Sequence, residues 1–204
     1  MNFLDLLFPK KCLECGKEGK YICHDCYSRV SPCGVTPCGM NGSNYSIFRY
    51  EGVIRKAIIS LKYKFAYDIA EELVNVCVLK LSTFCLLHTT TLVPIPLHQK
   101  RKNWRGFNQT EIIGEKLAKA MNWKYIPDLL IRNKNTLPQV GLKGSVRRSN
   151  LSGVFAVNPN YVLCTKYSVL LFDDVYTTGS TIKEAKKVLK DVGFKNIKSL
   201  TIAR

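Results

Sequence analysis

Residues 169–181 read Val-Leu-Leu-Phe-Asp-Asp-Val-Tyr-Thr-Thr-Gly-Ser-Thr. An apolar run delivers two adjacent carboxylates, Asp173 and Asp174, to its end. Val175, Tyr176, Thr177, Thr178, Gly179, Ser180 and Thr181 follow, a stretch rich in hydroxyls around one glycine. Such a loop lets backbone N–H groups close on an anion, and a helix start adds unpaired donors and a favourable dipole. Carboxylates repel phosphate but suit hydroxyls or a hard cation such as Mg2+. A ligand with both features is a phosphorylated sugar. An Asp-Asp pair alone is commonly a cap or a solvated turn, and the Thr/Ser run alone could be capping chemistry. A buried strand before them and a capped helix after them make the combination specific. No glycine-spaced lysine precedes Ser or Thr, so this is not a Walker loop.

A second group of residues lies at the end of another apolar run. Residues 92–97 read Leu-Val-Pro-Ile-Pro-Leu, and His98, Gln99, Lys100, Arg101, Lys102, Asn103, Trp104, Arg105, Gly106, Phe107, Asn108 and Gln109 follow. Four of the eight residues 98–105 are cationic. Cations at a strand end suit a diphosphate, above all one that departs with its charge. A solvated basic loop explains the lysines equally well, but not the run Arg105-Gly106-Phe107-Asn108-Gln109. Trp104 and Phe107 among these cations offer stacking surfaces for single-stranded nucleic acid. Core packing is the alternative for both, and the stronger one for Phe107.

The third group is thiol. Cys12-x-x-Cys15 and Cys23-x-x-Cys26 are separated by seven residues. Four thiolates so spaced can meet tetrahedrally about one Zn2+ at ~2.3 Å. Gly16 permits the tight turn of a metal knuckle. A site filled by four thiolates has no open position, so the metal is structural. Buried, oxidised or redox-active cysteine is the alternative, although a redox centre needs one pair only. Cys33 and Cys38 form a looser pair, and either could replace one of the four. His24 is a bystander. In so small a segment the metal supplies most of the folding free energy, so chelation is expected to unfold residues 1–45 first. Cys77, Cys85 and Cys164 sit among apolar neighbours and are expected in the core.

Spacing predicts the elements that hold these groups. Residues 46–50 form a strand. Ile54, Ala57, Ile58 and Leu61 mark a helix, and Ile69, Leu73, Val76 and Leu79 or Lys80 mark another. Residues 90–95 form a buried strand stopped by Pro94 and Pro96. Ile113, Leu117 and Met121 follow as a helical stripe. Residues 168–172 form a buried strand, and Thr181 with Glu184 forms a capping box for a helix carrying Ile182, Ala185, Leu189 and Val192. Gly193 stops it, and residues 197–202 form the last strand. Alternating strands and helices give an α/β fold with a mainly parallel sheet, whose ligands bind at the carboxyl ends of strands. Residues 1–45 form a cysteine-rich zinc module and residues 46–204 the α/β domain, with a turn near residues 39–44.

The chain of 204 residues is 46% hydrophobic and 23% charged, which suits a globular protein with a buried core. Its formal net charge is +16, of which residues 1–45 carry +1. No acid lies between Glu72 and Glu111 or between Asp128 and Asp173. Cations concentrated in segments point to a polyanion partner, with a solvated surface as the alternative. No apolar run reaches the ~18 residues of a membrane span. The stretch Phe3, Leu4, Leu6, Leu7, Phe8 has no basic segment before it and no cleavage site after it, and is read as a packing segment. The expected location is the cytoplasm, without membrane insertion.

Residues 169–181 resemble the signature of type I phosphoribosyltransferases. The chain as a whole resembles the ComF family, through Val93-Pro94-Ile95-Pro96-Leu97, through Arg105-Gly106-Phe107-Asn108-Gln109, and through Arg132, Gln139, Leu142, Arg147, Asn150 and Phe155. The cysteine-rich start and the 173–181 loop match in kind, although the Cys33–Cys38 spacing departs from the third pair usual there. The resemblance implies a phosphoribosyltransferase-like fold that holds 5-phosphoribosyl-1-pyrophosphate with Mg2+. Asp173 and Asp174 would be the catalytic acids at the ribose hydroxyls, and residues 175–181 would wrap the 5-phosphate. Leu97, His98, Gln99 and Lys100 would form the pyrophosphate loop, and residues 132–150 a cover from which Arg147 reaches a phosphate. Arg101, Lys102, Trp104 and Arg105 would contact phosphate or DNA. The family is associated with natural transformation, so single-stranded DNA and competence proteins such as a helicase are the implied partners. The function implied is phosphoribosyl transfer to an acceptor the sequence does not identify. The alternatives are a nucleotide-salvage transferase and a DNA-binding module with a relic donor site.

Overall fold

The computed structural model describes residues 9–31, 43–63, 67–81, 90–133, 153–161 and 167–204. In chain order they form α1 (His24–Ser28), β1 (Asn44–Phe48), α2 (Gly52–Tyr63), α3 (Tyr67–Leu81), β2 (Thr90–Pro94), α4 (Gln99–Arg105) and α5 (Gln109–Ala120). Then come β3 (Lys124–Tyr125), β4 (Leu130–Arg132), β5 (Phe155–Val157), β6 (Ser168–Val175), α6 (Ser180–Asp191) and β7 (Ile197–Ala203). Five strands make one sheet in the order β1-β7-β6-β2-β3, and every pairing in it is parallel. β4 and β5 form a separate antiparallel ribbon.

A parallel strand covered on both faces must be apolar on both, and β6 is. Leu170 and Phe172 face the layer of α2, α3 and α5, whereas Val169 and Leu171 face α6 and the β4–β5 ribbon. The neighbouring strand follows suit, with Leu92 opposite Leu170 and Val93 opposite Leu171 in register. Helix α5 comes close to the sheet because Gly114 has no side chain: a Cβ there would lie 3.1 Å from Leu92 and 3.3 Å from Phe172. Because all five strands are parallel, their carboxyl ends share one edge.

Several elements differ from the sequence expectation. β1 begins two residues earlier, at Asn44. In α3 the buried line is Ile69, Leu73, Cys77 and Leu81, in steps of four, while Leu79 is 62% exposed. Cys77 lies in the core as expected, and burial pushes its thiol up. β6 runs through Val175, so Asp173 and Asp174 belong to the strand and not to the loop. The capping box does not form. The residue capping α6 is Gly179, with φ 72°, and Glu184 accepts instead from the Gly153 N–H of the ribbon at 2.6 Å. Among the described residues, no helix is long and apolar enough to cross a membrane.

Candidate functional site: a thiolate cluster and the carboxyl edge of the sheet

The cysteine module is built by two tight turns. Gly16 donates to the Cys12 carbonyl at 2.9 Å and adopts φ 76°, closing the first pair; α1 starts inside the second, so Cys26 projects from a helix. The ligand atoms of Cys12, Cys15, Cys23 and Cys26 lie within 4.8 Å of one another, and those of Cys15 and Cys23 are 3.7 Å apart. A zinc tetrahedron with Zn–S near 2.3 Å needs S···S edges of roughly 3.8 Å, so the four residues fit the ion. Burial opposes ionisation of Cys12, yet the N–H groups of Cys15, Cys23 and Glu14 hold its thiol down at about 6. Burial and the neighbouring thiols push Cys26 up to about 12. Cys33, Cys38, Cys85 and Cys164 lie outside the described residues.

This module packs on the α/β layer. Cys12, Ile22, Cys23, Cys26 and Val30 share one buried cluster with Phe48, Leu73 and Cys77. The Glu72 carboxylate accepts the Ile22 N–H at 2.8 Å, and Lys10 pairs with Asp68 at 2.8 Å.

At the carboxyl edge, Asp173 and Asp174 are not equivalent. The alternation of β6 turns Asp174 toward the α5 layer, where it is buried and its Oδ2 accepts from Gln109 Nε2 at 3.1 Å. Asp173 is half-buried and its Oδ1 accepts the Asp174 N–H at 2.9 Å. The loop that follows is narrow. Tyr176 N–H is held by the Ala203 carbonyl at 2.9 Å, and its ring lies against Gly179, where a Cβ would be 2.2 Å from the hydroxyl. Thr177 and Thr178 are exposed, and the Thr178 and Ser180 hydroxyls are 2.9 Å apart at the start of α6. The loop thus presents hydroxyls and a helix start beside the acid pair, the arrangement that suits a phosphorylated polyol.

β2 lies beside β6 and ends at the same edge. Leu97 and His98 are half-buried, and Gln99 and Lys100 are already the first turn of α4, capped by His98 Nδ1 accepting from Lys100 N–H at 3.2 Å. Trp104 is 76% exposed on this helix, whereas Phe107 is half-buried. Lys102 is drawn back to Glu111 at 2.8 Å. Arg101 and Arg105 belong to α4, and their side chains are outside the description, as is the whole of Arg147 and of residues 134–150.

Residues 3–54 match the double zinc ribbon domain. Six cysteines fall in that span, and four of them make the cluster. Ribbon match and cluster together support a structural Zn2+. Competence protein ComFC of Bacillus subtilis is 27% identical over 200 residues, 95% of this chain and 77% of that protein. This chain has ComFC among its homologues. Competence protein F of Haemophilus influenzae is 33% identical over 113 residues, 55% of this chain. There the match spans only 49% of the relative, about half its length. Among solved structures, glutamine phosphoribosylpyrophosphate amidotransferase of B. subtilis is 12% identical with a TM-score of 0.46, over 70% of this chain and 30% of that one.

Beside these competence relatives, two features stand out that the motifs did not mark as functional. Gln109 ends the Arg-Gly-Phe-Asn-Gln run and reaches Asp174. A row of arginine–tyrosine stacks also follows the same edge. Arg204 lies over the Tyr176 ring at 5.3 Å, Tyr50 N–H donates to the Arg204 carbonyl at 2.7 Å, and Arg55 lies over Tyr50 at 5.9 Å. The Arg49 backbone N–H next donates to the Ser31 carbonyl of the cysteine module at 3.4 Å. These residues are dispersed in sequence, and only strand order makes them neighbours.

Proposed function

We propose that the carboxyl edge of the sheet binds 5-phosphoribosyl-1-pyrophosphate with Mg2+, and that the protein handles single-stranded DNA in natural transformation. The observation that carries the donor site is the continuity of β6, the 176–179 loop and α6, which sets two carboxylates against a hydroxyl-rich helix start. Asp173 and Asp174 hold the ribose hydroxyls. N–H groups and hydroxyls from Tyr176 to Thr181 surround the 5-phosphate. The turn 97–100 receives the diphosphate, with Arg147 as a further contact. Hard carboxylate oxygens beside a phosphate suit Mg2+, which when bound supplies charge neutralisation of the departing diphosphate. This reading assigns no general base, and the contribution it gives the protein is to orient the donor.

DNA handling rests on separate features. The exposed Trp104 on basic α4 and the arginine–tyrosine row flank the donor site from β2 and from β7–β1. Aromatic faces interleaved with guanidinium groups hold single strands without sequence readout. A competence helicase in the cytoplasm is the partner this reading expects.

The deciding experiment is calorimetry with 5-phosphoribosyl-1-pyrophosphate and Mg2+ on the wild type and on Asp173→Asn, Asp174→Asn. Saturable binding that the folded double variant loses establishes the donor site. A folded, zinc-loaded wild type that takes up no ligand makes the loop a relic, and the protein a DNA-binding module.

A further inference from the structure

The Arg105-Gly106-Phe107-Asn108-Gln109 run ends in two buried amides, and each is committed to a different strand end. Asn108 Oδ1 accepts the Thr110 N–H at 3.1 Å and caps α5. Its Nδ2 donates to the Ile95 carbonyl just beyond β2 at 3.2 Å, and to Glu111 at 3.2 Å. Gln109 is 5% exposed and donates to Asp174 Oδ2. The first turn of α5 therefore clamps the exit of β2 and the acid of β6 to each other. Capping alone needs only Asn108, so the buried Gln109 amide is left with a separate task. It lies directly against a carboxylate at the proposed donor site.

We propose that Gln109 is a positioning residue that acts through Asp174. A carboxylate on a free side chain rotates about two torsions; the amide fixes one oxygen and so aims the other. The acid pair then has a division of labour. Asp174 is held from inside the fold by Gln109, and Asp173, half-buried, has its Oδ1 on the strand's own N–H. The distance between the ribose-binding acid and the diphosphate turn is set by one helix start, since Asn108 and Gln109 are adjacent residues. This rests on the donor-site reading above.

The test is a double-mutant cycle on the full chain, with wild type, Gln109→Met, Asp174→Asn and the combination titrated with 5-phosphoribosyl-1-pyrophosphate and Mg2+. NMR shift changes are the readout, so that millimolar affinities stay measurable, and the same spectra report folding. Loss of one hydrogen bond to a charged group predicts roughly 10- to 100-fold weaker binding for Gln109→Met. In the Asp174→Asn background the same change should leave affinity within about twofold, because residues in contact that act through one another share a single effect and their losses do not add. Gln109→Leu, which also removes the donor and adds no charge beside Asp174, should weaken binding likewise and serves if the methionine variant does not fold. Additive losses, or binding unchanged in Gln109→Met, overturn the positioning role and leave the donor site standing. A wild type that binds nothing overturns the donor site and this inference with it.

Discussion

The side chain of Glu72 on α3 accepts the backbone N–H of Ile22 from the cysteine module at 2.8 Å, which joins two parts of the chain fifty residues apart. The module also lends Cys12, Cys23 and Cys26 to the cluster that contains Leu73 and Phe48. A surface pair such as Lys10–Asp68 adds little to that. Replacing Glu72 with alanine leaves the Ile22 N–H unpaired, and should lower the unfolding free energy by about 1–3 kcal/mol in urea titrations. An unchanged midpoint would show the module to be only loosely seated.

The shared cluster also bears on metal removal. Whereas the sequence alone predicts that chelation unfolds residues 1–45 first, the shared cluster predicts a lower melting temperature for the whole protein in one transition, because the thiols released line the α3 core as well as their own turn. Cys12→Ser or Cys26→Ser should abolish zinc in elemental analysis and reproduce the same loss of stability. A chelated protein whose α/β part melts as before would separate the two.

Gly179 combines φ 72° with a Tyr176 hydroxyl 2.2 Å from where its Cβ would stand. Gly179→Ala should cost about 1–3 kcal/mol of stability in backbone strain. The displaced tyrosine should also take with it the shape of the 176–180 loop. Donor affinity should therefore fall further than the stability change alone accounts for. Calorimetry alongside a melt separates the two effects, and donor affinity equal to the wild type would place the phosphate elsewhere.

Lys186 on α6 is half-buried and donates to the Ser43 carbonyl and hydroxyl and to the Asn44 side chain, at 2.8–2.9 Å. Burial, with Lys190 nearby, lowers its pKa from the usual value to about 8. The unfolded chain then binds more protons than the folded one between pH 8 and the ordinary lysine range of about 10.4. Stability should rise with pH through that window as far as this residue is concerned. The gain between pH 7.5 and 9.5 should be smaller in Lys186→Met, and equal gains would contradict it.

Single-stranded oligonucleotide binding should weaken steeply with salt, with a log–log slope of about −0.7 per phosphate contacted. Trp104→Ala and Arg55→Gln test the two flanks of the donor site separately. A tryptophan contact should lower affinity with the salt slope unchanged, and an arginine contact should lower the slope. A flat salt response in the wild type would reject nucleic acid as the polyanion.

The parallel sheet was legible because β2 and β6 are buried on both faces, which writes their sequences as unbroken apolar runs. The Cys12–Cys26 spacing was legible because metal geometry fixes it. The α3 stripe misled because Cys77, a small thiol, fills the position where a larger apolar residue was sought. The capping box misled because Glu184 has a nearer partner in Gly153, and that partner comes from a ribbon no periodicity marks. Gln109 was visible as part of a run, but its contact with Asp174 spans 65 residues and depends on which face of β6 that acid takes. The arginine–tyrosine row owes its existence to β1 lying beside β7, which nothing local dictates.

That last pairing has a consequence for how the protein forms. Among the described residues β1 is the first strand of the sheet and bonds only to β7, the last, with Ser46 opposite Thr201. The strand that follows the cysteine module must therefore wait, unpartnered, while the intervening chain is made. Closing so long a loop makes non-local parallel pairing slow. During synthesis β1 has no strand to pair with until residues 197–203 have been made, while α2 and α3 can already pack on each other and on α5, so the open sheet edge is where a folding helper would find its substrate.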